Sequence, residues 1–537
     1  MPVKTESECG GYDAFKVETS PVSMDSSIRV QALRAFRAVE AAFDRFFGAR
    51  DNPLRHLGAL GFYLFWLMVV SGIYLYAFYG TGVTEAYNSV ERLTRDQWYL
   101  GGVMRSLHRY CADAFVLVMV LHLAKETVNA RYRGFHWFSW LTGVPTLWLA
   151  YASGIGGYWL VWDRVAQFSA TATTEWFDWL PLFGEPLARN FVTPAAVSDR
   201  FFSLLSFLHI GIPLLLLLAM WVHIQRISLA DVAPPRRLGW GMLAALATLS
   251  VAKPAVSAAA ADLAIEPARI ALDWFYLFVH PLMYQSSAAT AWALTFGFTV
   301  LLVAAPLLRG PKPAPVAQVS PPDCNGCGRC VADCPYLAVR LIPHTLKGLY
   351  KMQAQVDSAL CASCGICAGA CPSSTPFRSA GKLVSGIDMP RLPIDVLRGR
   401  LRSRLAQLSG PARTIVVGCD CAADVSTLAG EGVAPLSLPC IGNLPPAFIE
   451  YALRRGRQGA GADGVLITGC RQGDCAYRFG NEWTEQRLAG KREPHLRQHV
   501  PAHCVRVAWA NSGEEVGLAR ALATFRAGLM QNAGVPF

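Results

Sequence analysis

The sequence has no nicotinamide fingerprint opening a helix after a strand, no Walker loop, and no molybdenum or nickel site. A chain without these leaves the primary substrate to another subunit. Charge is scarce, at 16% of 537 residues, against 53% hydrophobic. A cleavable signal peptide is not expected, because Glu6, Glu8, Asp13 and Glu18 precede any apolar run. The net charge is +11, but the arginines sit beside apolar segments, where membrane topology wants them, so nucleic acid is not the expected partner. Cysteine, by contrast, is plentiful, with sixteen in a half-apolar chain. That combination points to a membrane protein carrying metal clusters. The cysteines fall in iron–sulfur spacings, so the soluble part is expected in a reducing cytoplasm, which excludes a disulfide framework.

The apolar stretch Arg105–His122 holds His108 and His122, fourteen residues apart, and a second stretch repeats the spacing with His209 and His223. In a helix that separation rises about 21 Å and returns to nearly the same face. Ionisable residues deep in membrane segments are rare and usually functional. Unrelated polar residues in a bundle would account for one such histidine, not for two pairs with one spacing. Two helices with matched pairs can clamp two haems, one above the other. Glycines share the interval: Gly58 and Gly72 in the first apolar segment, Gly143 and Gly157 in the third. Glycine lets a flat macrocycle lie against a helix backbone.

These features resemble the cytochrome b of bc-type quinol complexes. The resemblance implies that the four glycines pack on the two haems and that Arg105 contacts a haem propionate. Membrane helices are expected at 56–79, 105–128, 137–156, 203–227, 238–252 and 288–308. Before them, Leu33, Phe36, Val39, Phe43 and Phe46 recur at helical spacing among arginines, as in an amphipathic helix on the membrane surface or one that binds a partner. Basic residues crowd the connections Lys125–Arg133 and Arg226–Arg237, which places both termini in the cytoplasm. His108 then pairs with His209 near the periplasmic side, and His122 with His223 near the cytoplasmic side.

Two loops extend the likeness to the family's quinol site. Gly157–Trp162 resembles its GYVLPWG, with Val161 in place of a proline and Asp163 in place of a glycine. Leu272-Asp273-Trp274-Phe275 stands where the family has Pro-Glu-Trp-Tyr. The family's glutamate takes a quinol proton, so Asp273 is the candidate acceptor, with His280 as a second. Alternatively, Asp273 only caps the turn that follows. The branch with a covalently attached extra haem has a cysteine where this chain has His56, so no such haem is expected.

Arg309–Pro322 is a Pro-rich linker leaving the membrane. Cys324, Cys327, Cys330, Cys334 and then Cys361, Cys364, Cys367, Cys371 repeat the C-x2-C-x2-C-x3-C-P run of bacterial two-cluster ferredoxins. In that pattern the fourth cysteine of each run ligates the other cluster. One [4Fe-4S] cluster should use Cys324, Cys327, Cys330 and Cys371, the other Cys361, Cys364, Cys367 and Cys334. Paired C-x-x-C zinc units would not explain the third and fourth cysteines.

After a basic connecting segment, 379–411, strands are expected at Thr414–Gly418, Leu436–Leu438 and Val465–Thr468, each running into cysteine: Cys419 and Cys421, Cys440, then Cys470 and Cys475. Five cysteines there fit one [2Fe-2S] cluster, which needs four. The run Ala462–Cys470 with Gly473-Asp474-Cys475 and Gly480-Asn481 resembles the delta subunit of methyl-viologen-reducing hydrogenase. That family passes electrons between a hydrogenase or formate dehydrogenase and a flavoprotein of heterodisulfide reductase type. The short Cys419-x-Cys421 leaves open which of the two ligates. Of the rest, Cys111 reads as a core residue on the haem helix and Cys504 as buried before a strand, and Cys9 has no assigned part.

The expected architecture is multi-domain. It comprises a cytoplasmic arm and surface helix (1–50), a four-helix di-haem core (51–235), two further membrane helices with a quinone-site-like loop (236–316), an α+β ferredoxin domain (317–378), a linker (379–411) and an α/β iron–sulfur domain (412–537). The expected function is a quinone-linked oxidoreductase subunit in a bacterial inner membrane. It would link a cytoplasmic flavoprotein or dehydrogenase, heterodisulfide-reductase-like or NAD(P)H-, formate- or hydrogen-linked, to membrane quinone. The expected route runs through [2Fe-2S], then two [4Fe-4S] clusters, then two b haems. A multi-subunit complex, compatible with a dimer, is implied. A Q-cycle cytochrome b with a Rieske partner, or a redox sensor or scaffold, are the alternatives.

Overall fold

The computed structural model describes residues 24–182, 192–193, 197–225, 232–265, 269–273, 275–307, 315–346, 348, 350–378, 381–454 and 461–531. Glu6, Glu8, Cys9, Asp13, Glu18, Arg226, Trp274 and Arg309 lie outside them. So does part of the Pro-rich linker.

Helix α1, Met24–Phe47, is followed by a turn at Pro53–Arg55, whose cap Asn52 accepts from the Leu54 amide at 2.9 Å. Then come α2 (Leu57–Phe78), α3 (Glu85–Arg95), α4 (Val103–Val128), α5 (Trp137–Val161), α6 (Arg164–Asp178), α7 (Asp199–Ile224), α8 (Arg236–Ala252), α9 (Val279–Gln285) and α10 (Ala288–Ala304). A helix therefore occupies each of the six stretches expected to cross the membrane. Three are long and apolar enough to do so by composition: Leu57–Phe78, Asp199–Ile224 and Ala288–Leu307. The others depart for visible reasons. Helix α4 carries Arg105, Arg109, Asp113, Lys125 and Glu126, α5 is rich in Trp, Tyr and Gly, and α8 has 17 residues. Helix α2 packs along α4, and α5 along α7. Apolar side chains such as Val70, Ile73, Leu214, Leu218, Val300 and Leu301 point outward, as a lipid-facing surface requires.

The long connections gather at one end of this bundle. Asp163 bridges to Ala260, Tyr87 donates to the Ala258 carbonyl at 3.0 Å, and Arg105 donates to Ser257 at 2.7 Å. Asp163, which stands in place of the family's glycine, has a local task. It caps α6 by accepting from the Ala166 amide at 2.9 Å, just after Trp162 turns left-handed at φ 51°.

The iron–sulfur region sits at the other end, against α1 and the α4–α5 connection. Its first part has two antiparallel strand pairs, β1 (Gln318–Val319) with β4 (Ile387–Asp388) and β2 (Val339–Pro343) with β3 (Met352–Val356). Two short helices, α11 (Arg329–Asp333) and α12 (Ile366–Ala370), lie within the two cysteine runs and carry Cys330 and Cys367.

The stretch 379–411, expected to be only a connector, holds helix α13, Ile394–Ala406. Leu397, Leu401 and Leu405 are buried in one core with Leu436, Leu438 and Phe448. The interleaved arginines hid an apolar face. The last part is a four-stranded parallel sheet in the order β6 (Val433–Leu438), β5 (Thr414–Cys419), β7 (Gly464–Ile467), β8 (Val505–Val507). Helices α14 (Pro446–Leu453), α15 (Gly480–Leu488) and α16 (Glu515–Gln531) cover it. Strand β8 follows Cys504, where a strand was expected, while α16 was not anticipated.

Candidate haem and iron–sulfur centres

The histidines of α4 and α7 face the glycines of the neighbouring helices one for one. A Cβ on Gly72 would lie 3.1 Å from the His108 ring, on Gly157 3.1 Å from His209, on Gly143 3.2 Å from His223 and on Gly58 3.8 Å from His122. Each ring thus sits over a backbone stripped of its side chain. His108 and His209 have ring centroids 6.3 Å apart. Two metal–nitrogen bonds of about 2 Å plus two ring radii come to roughly that spacing.

Their Nδ1 atoms are engaged. His108 Nδ1 meets the Met68 carbonyl at 3.0 Å and Ser71 Oγ at 3.1 Å. His209 Nδ1 meets the Ser153 carbonyl at 3.1 Å, and His223 Nδ1 meets Thr142 Oγ1 at 3.3 Å. A hydrogen bond at Nδ1 fixes the ring and leaves Nε2 as the ligating nitrogen. His122 differs, with Nδ1 3.9 Å from Glu126 Oε1. This donor set fits two axial pairs on planar macrocycles. Arg105 lies at the His108 end, donating to Thr94 and Ser257.

Asp273 accepts from the Phe275 and Tyr276 amides at 2.8 and 2.6 Å, so it caps the turn, and it also pairs with Arg109. Burial alone would raise its pKa. The Tyr276 amide and the Arg109 guanidinium outweigh this and hold it below the usual carboxylate range. Arg109 in turn pairs with Asp113 and lies over the Tyr158 ring at 4.9 Å. His280 is fully buried, its Nε2 3.0 Å from Thr173 Oγ1 and its Nδ1 without a hydrogen-bond partner. Arg109, Tyr276 and Gly154 were missed in the sequence. The Tyr276 ring occupies the space of a Gly154 side chain, with a Cβ there only 2.0 Å away. The glycine run 154–157 was the available signal.

The ferredoxin cysteines ring two cavities. Cys324, Cys327, Cys330 and Cys371 line one. Cys334, Cys361, Cys364 and Cys367 line the other. The fourth cysteine of each run therefore reaches the other cavity. Backbone amides also point at sulfur: Ala354 N–H at Cys324 Sγ, 3.4 Å, and Ala338 N–H at Cys334 Sγ, 3.3 Å. Among the described residues no three His, Cys, Asp or Glu side chains converge on a single-ion site. The thiols are spread around cavities, as a cluster requires.

In the last domain Cys419 and Cys470 have sulfurs 3.9 Å apart, and Cys440 and Cys475 both crowd Gly480, where a Cβ would lie 2.2 and 3.5 Å from their sulfurs. Cys421 is exposed, its thiol directed at the Pro439 carbonyl 4.0 Å away. Cys419, Cys440, Cys470 and Cys475 thus form the inner quartet, with Cys421 at its rim. Cys111 and Cys504 are buried, as expected.

A bundle with paired histidines, joined to two cysteine-lined parts, defines the class: a membrane electron-transfer subunit. Its segments are similar to three families. Residues 52–230 match cytochrome b/b6/petB, 323–375 match the 4Fe-4S dicluster domain, and 415–531 match the delta subunit of methyl-viologen-reducing hydrogenase. A solved structure titled "Hyperthermophilic respiratory Complex III" matches 47% of this chain and 75% of its own, at 19% identity and a TM-score of 0.39.

Proposed function

We propose that the chain is the quinone-linked subunit of an oxidoreductase, carrying electrons between a cytoplasmic partner and membrane quinone. The observation that carries this reading is the one-for-one facing of four histidines and four bare glycines at two depths of the bundle. His108 with His209, and His122 with His223, hold two b haems. The two ferredoxin cavities hold [4Fe-4S] clusters, and the inner quartet Cys419, Cys440, Cys470 and Cys475 holds a [2Fe-2S] cluster. These groups supply one-electron carriers; the chain's own residues fix, orient and insulate them. The ferredoxin cysteines lie behind hydrogen-bonding amides, which stabilise charge on sulfur.

The quinone site is placed at the His108–His209 end, where Arg109, Tyr158 and Asp273 meet. A quinol gives up two protons with two electrons, so its site needs an acceptor. Asp273 can take a proton only by loosening its Arg109 pair, and Asp113 stands ready to keep Arg109. Primary substrate chemistry falls to a soluble partner, a flavoprotein or dehydrogenase in the cytoplasm.

Anaerobically purified protein should contain two b haems and about ten irons in clusters per chain. A short-chain quinol added under argon should reduce the haems. Haem absent, or haems untouched by quinol, would overturn the proposal.

A further inference from the structure

The order expected from the chain puts the ferredoxin clusters next to the haems and the [2Fe-2S] centre outermost. The ferredoxin part does meet the α4–α5 connection, where the Phe135 and Tyr336 ring centroids are 4.5 Å apart, but the polar contacts leading to His122 come from the last domain. The cavity holding Cys327 is the one with an exposed cysteine. Beyond it, the cavity of Cys334, Cys361, Cys364 and Cys367 abuts the last domain. Cys364 and Ile366 share one buried cluster with Cys440, flanked by Tyr477. Gly369 comes so close to the Gly442 carbonyl that a Cβ would lie 2.2 Å from it. Buried Arg487 ties this seam, donating to the Gly442 carbonyl at 2.9 Å and to Asp333 Oδ2 at 2.5 Å.

From the inner quartet the path continues into the membrane part. Arg131, just past the end of α4, donates to the Asp474 carbonyl at 3.1 Å, one peptide from Cys475. His136 Nε2 meets the Ala476 carbonyl at 3.2 Å, on the other side of Cys475. Arg131 also pairs with Glu126 at 3.3 Å, and Glu126 lies 3.9 Å from His122 Nδ1. The link from Cys475 to His122 thus runs through two side chains. The Asp474 carboxylate clamps the same junction, held by Arg55 at 2.8 Å, Lys125 at 3.1 Å and Arg37 at 3.2 Å.

We infer that the C-terminal cysteine quartet, not the ferredoxin cysteines, is the iron–sulfur neighbour of the His122–His223 pair, and that Arg131 is the positioning residue that joins them. This rests on the cofactor assignment proposed above. The order becomes Cys327 cavity, Cys364 cavity, C-terminal quartet, His122 end, His108 end. With cluster and haem bound, the step across the junction would move one electron between the group held by the quartet and the group held by His122 and His223. One is oxidised as the other is reduced. No bond forms or breaks and no proton moves. The exposed cavity around Cys327 is then the solvent end of the line.

The test is magnetic and needs no turnover. Full-length protein, oxidised and frozen, is reduced by radiation at low temperature, which traps reduced clusters beside ferric haem. The two-iron EPR signal should relax fast with ferric haems and lose that enhancement when the haems are reduced beforehand. The Cys327-cavity signal should be indifferent to haem state. Arg131→Gln should weaken the enhancement while haem and iron contents stay at wild-type values. A four-iron signal that responds to haem state while the two-iron signal does not would overturn the order, whatever the variant does. Absence of the two-iron signal or of haem would instead overturn the underlying assignment, and this inference with it.

Discussion

Asp474 and Arg55, 419 residues apart, meet in a buried ion pair at 2.8 Å. Their side chains are 1% and 3% exposed, and Lys125 and Arg37 close on the same carboxylate. Asn511 donates to it as well, at 2.9 Å. Burial would raise the Asp474 pKa, but Lys125, Arg37 and Arg55 hold it far below the carboxylate range. One carboxylate thus gathers α1, the turn at Pro53–Arg55, and α4 against the last domain.

Removing that charge should loosen the docking. Asp474→Asn removes the shared partner of three cations, which keep Asp44 and Glu40, so its cost should fall below the about 3–5 kcal/mol of a buried charge left wholly unpaired. The variant should unfold at lower temperature, and trypsin should release the iron–sulfur part from membranes faster. Thermal melting and digestion that match wild type would mean the network contributes nothing to docking.

The haem ligands lend themselves to a content assay. His122→Ala should remove one b haem and leave cluster iron unchanged. Gly143→Val should act on the same haem by a different route, filling the space over His223 while leaving the imidazole in place. Pyridine haemochrome and iron assays on both variants check this. An unchanged haem-to-protein ratio in His122→Ala would refute the pairing.

The inner quartet separates Cys419 from its near neighbour. Cys419→Ser should abolish or alter the two-iron EPR signal, because its sulfur lies among the other thiols. Cys421→Ser should retain the signal, since that residue is exposed at the rim. A signal lost in Cys421→Ser and kept in Cys419→Ser would exchange the two roles. Zinc in place of iron after anaerobic purification would remove the cluster altogether.

The parts legible in the sequence were those with a period. Histidines and glycines at one interval, two cysteine runs and six apolar stretches all carry their pattern along the chain. Contacts between distant segments do not. Nothing at Asp474 says that Arg37, Arg55 and Lys125 will surround it, because each reads locally as an ordinary surface charge. Helix Ile394–Ala406 was obscured for a related reason: Arg398, Arg400, Arg402 and Arg404 dominate its composition while its leucines make the core. The order of the iron–sulfur centres inferred above rests on how the domains dock, which chain order does not carry.

Asp273 offers the sharpest test of where quinone reacts. Two of its interactions are with the amides of Phe275 and Tyr276, and a third is with Arg109. Asparagine can still accept both amides through its side-chain oxygen, so Asp273→Asn should keep the turn. It cannot take a proton from a quinol, and it frees Arg109 from one of its two carboxylates. If Asp273 is the acceptor, quinone-linked turnover should fall by roughly a hundred- to ten-thousand-fold. Reduction of the haems from the iron–sulfur side should continue at the wild-type rate, because the path inferred above enters at His122, at the opposite end of α4. Arg109→Gln separates capping from proton transfer. It leaves the cap intact and removes the charge that holds the Asp273 pKa down, so the pKa should rise. Turnover in that variant should require higher pH, since the carboxylate must be ionised before it can accept. Full turnover in Asp273→Asn with both haems present would leave the residue as a cap and move the quinone site to the His122 end, beside α1.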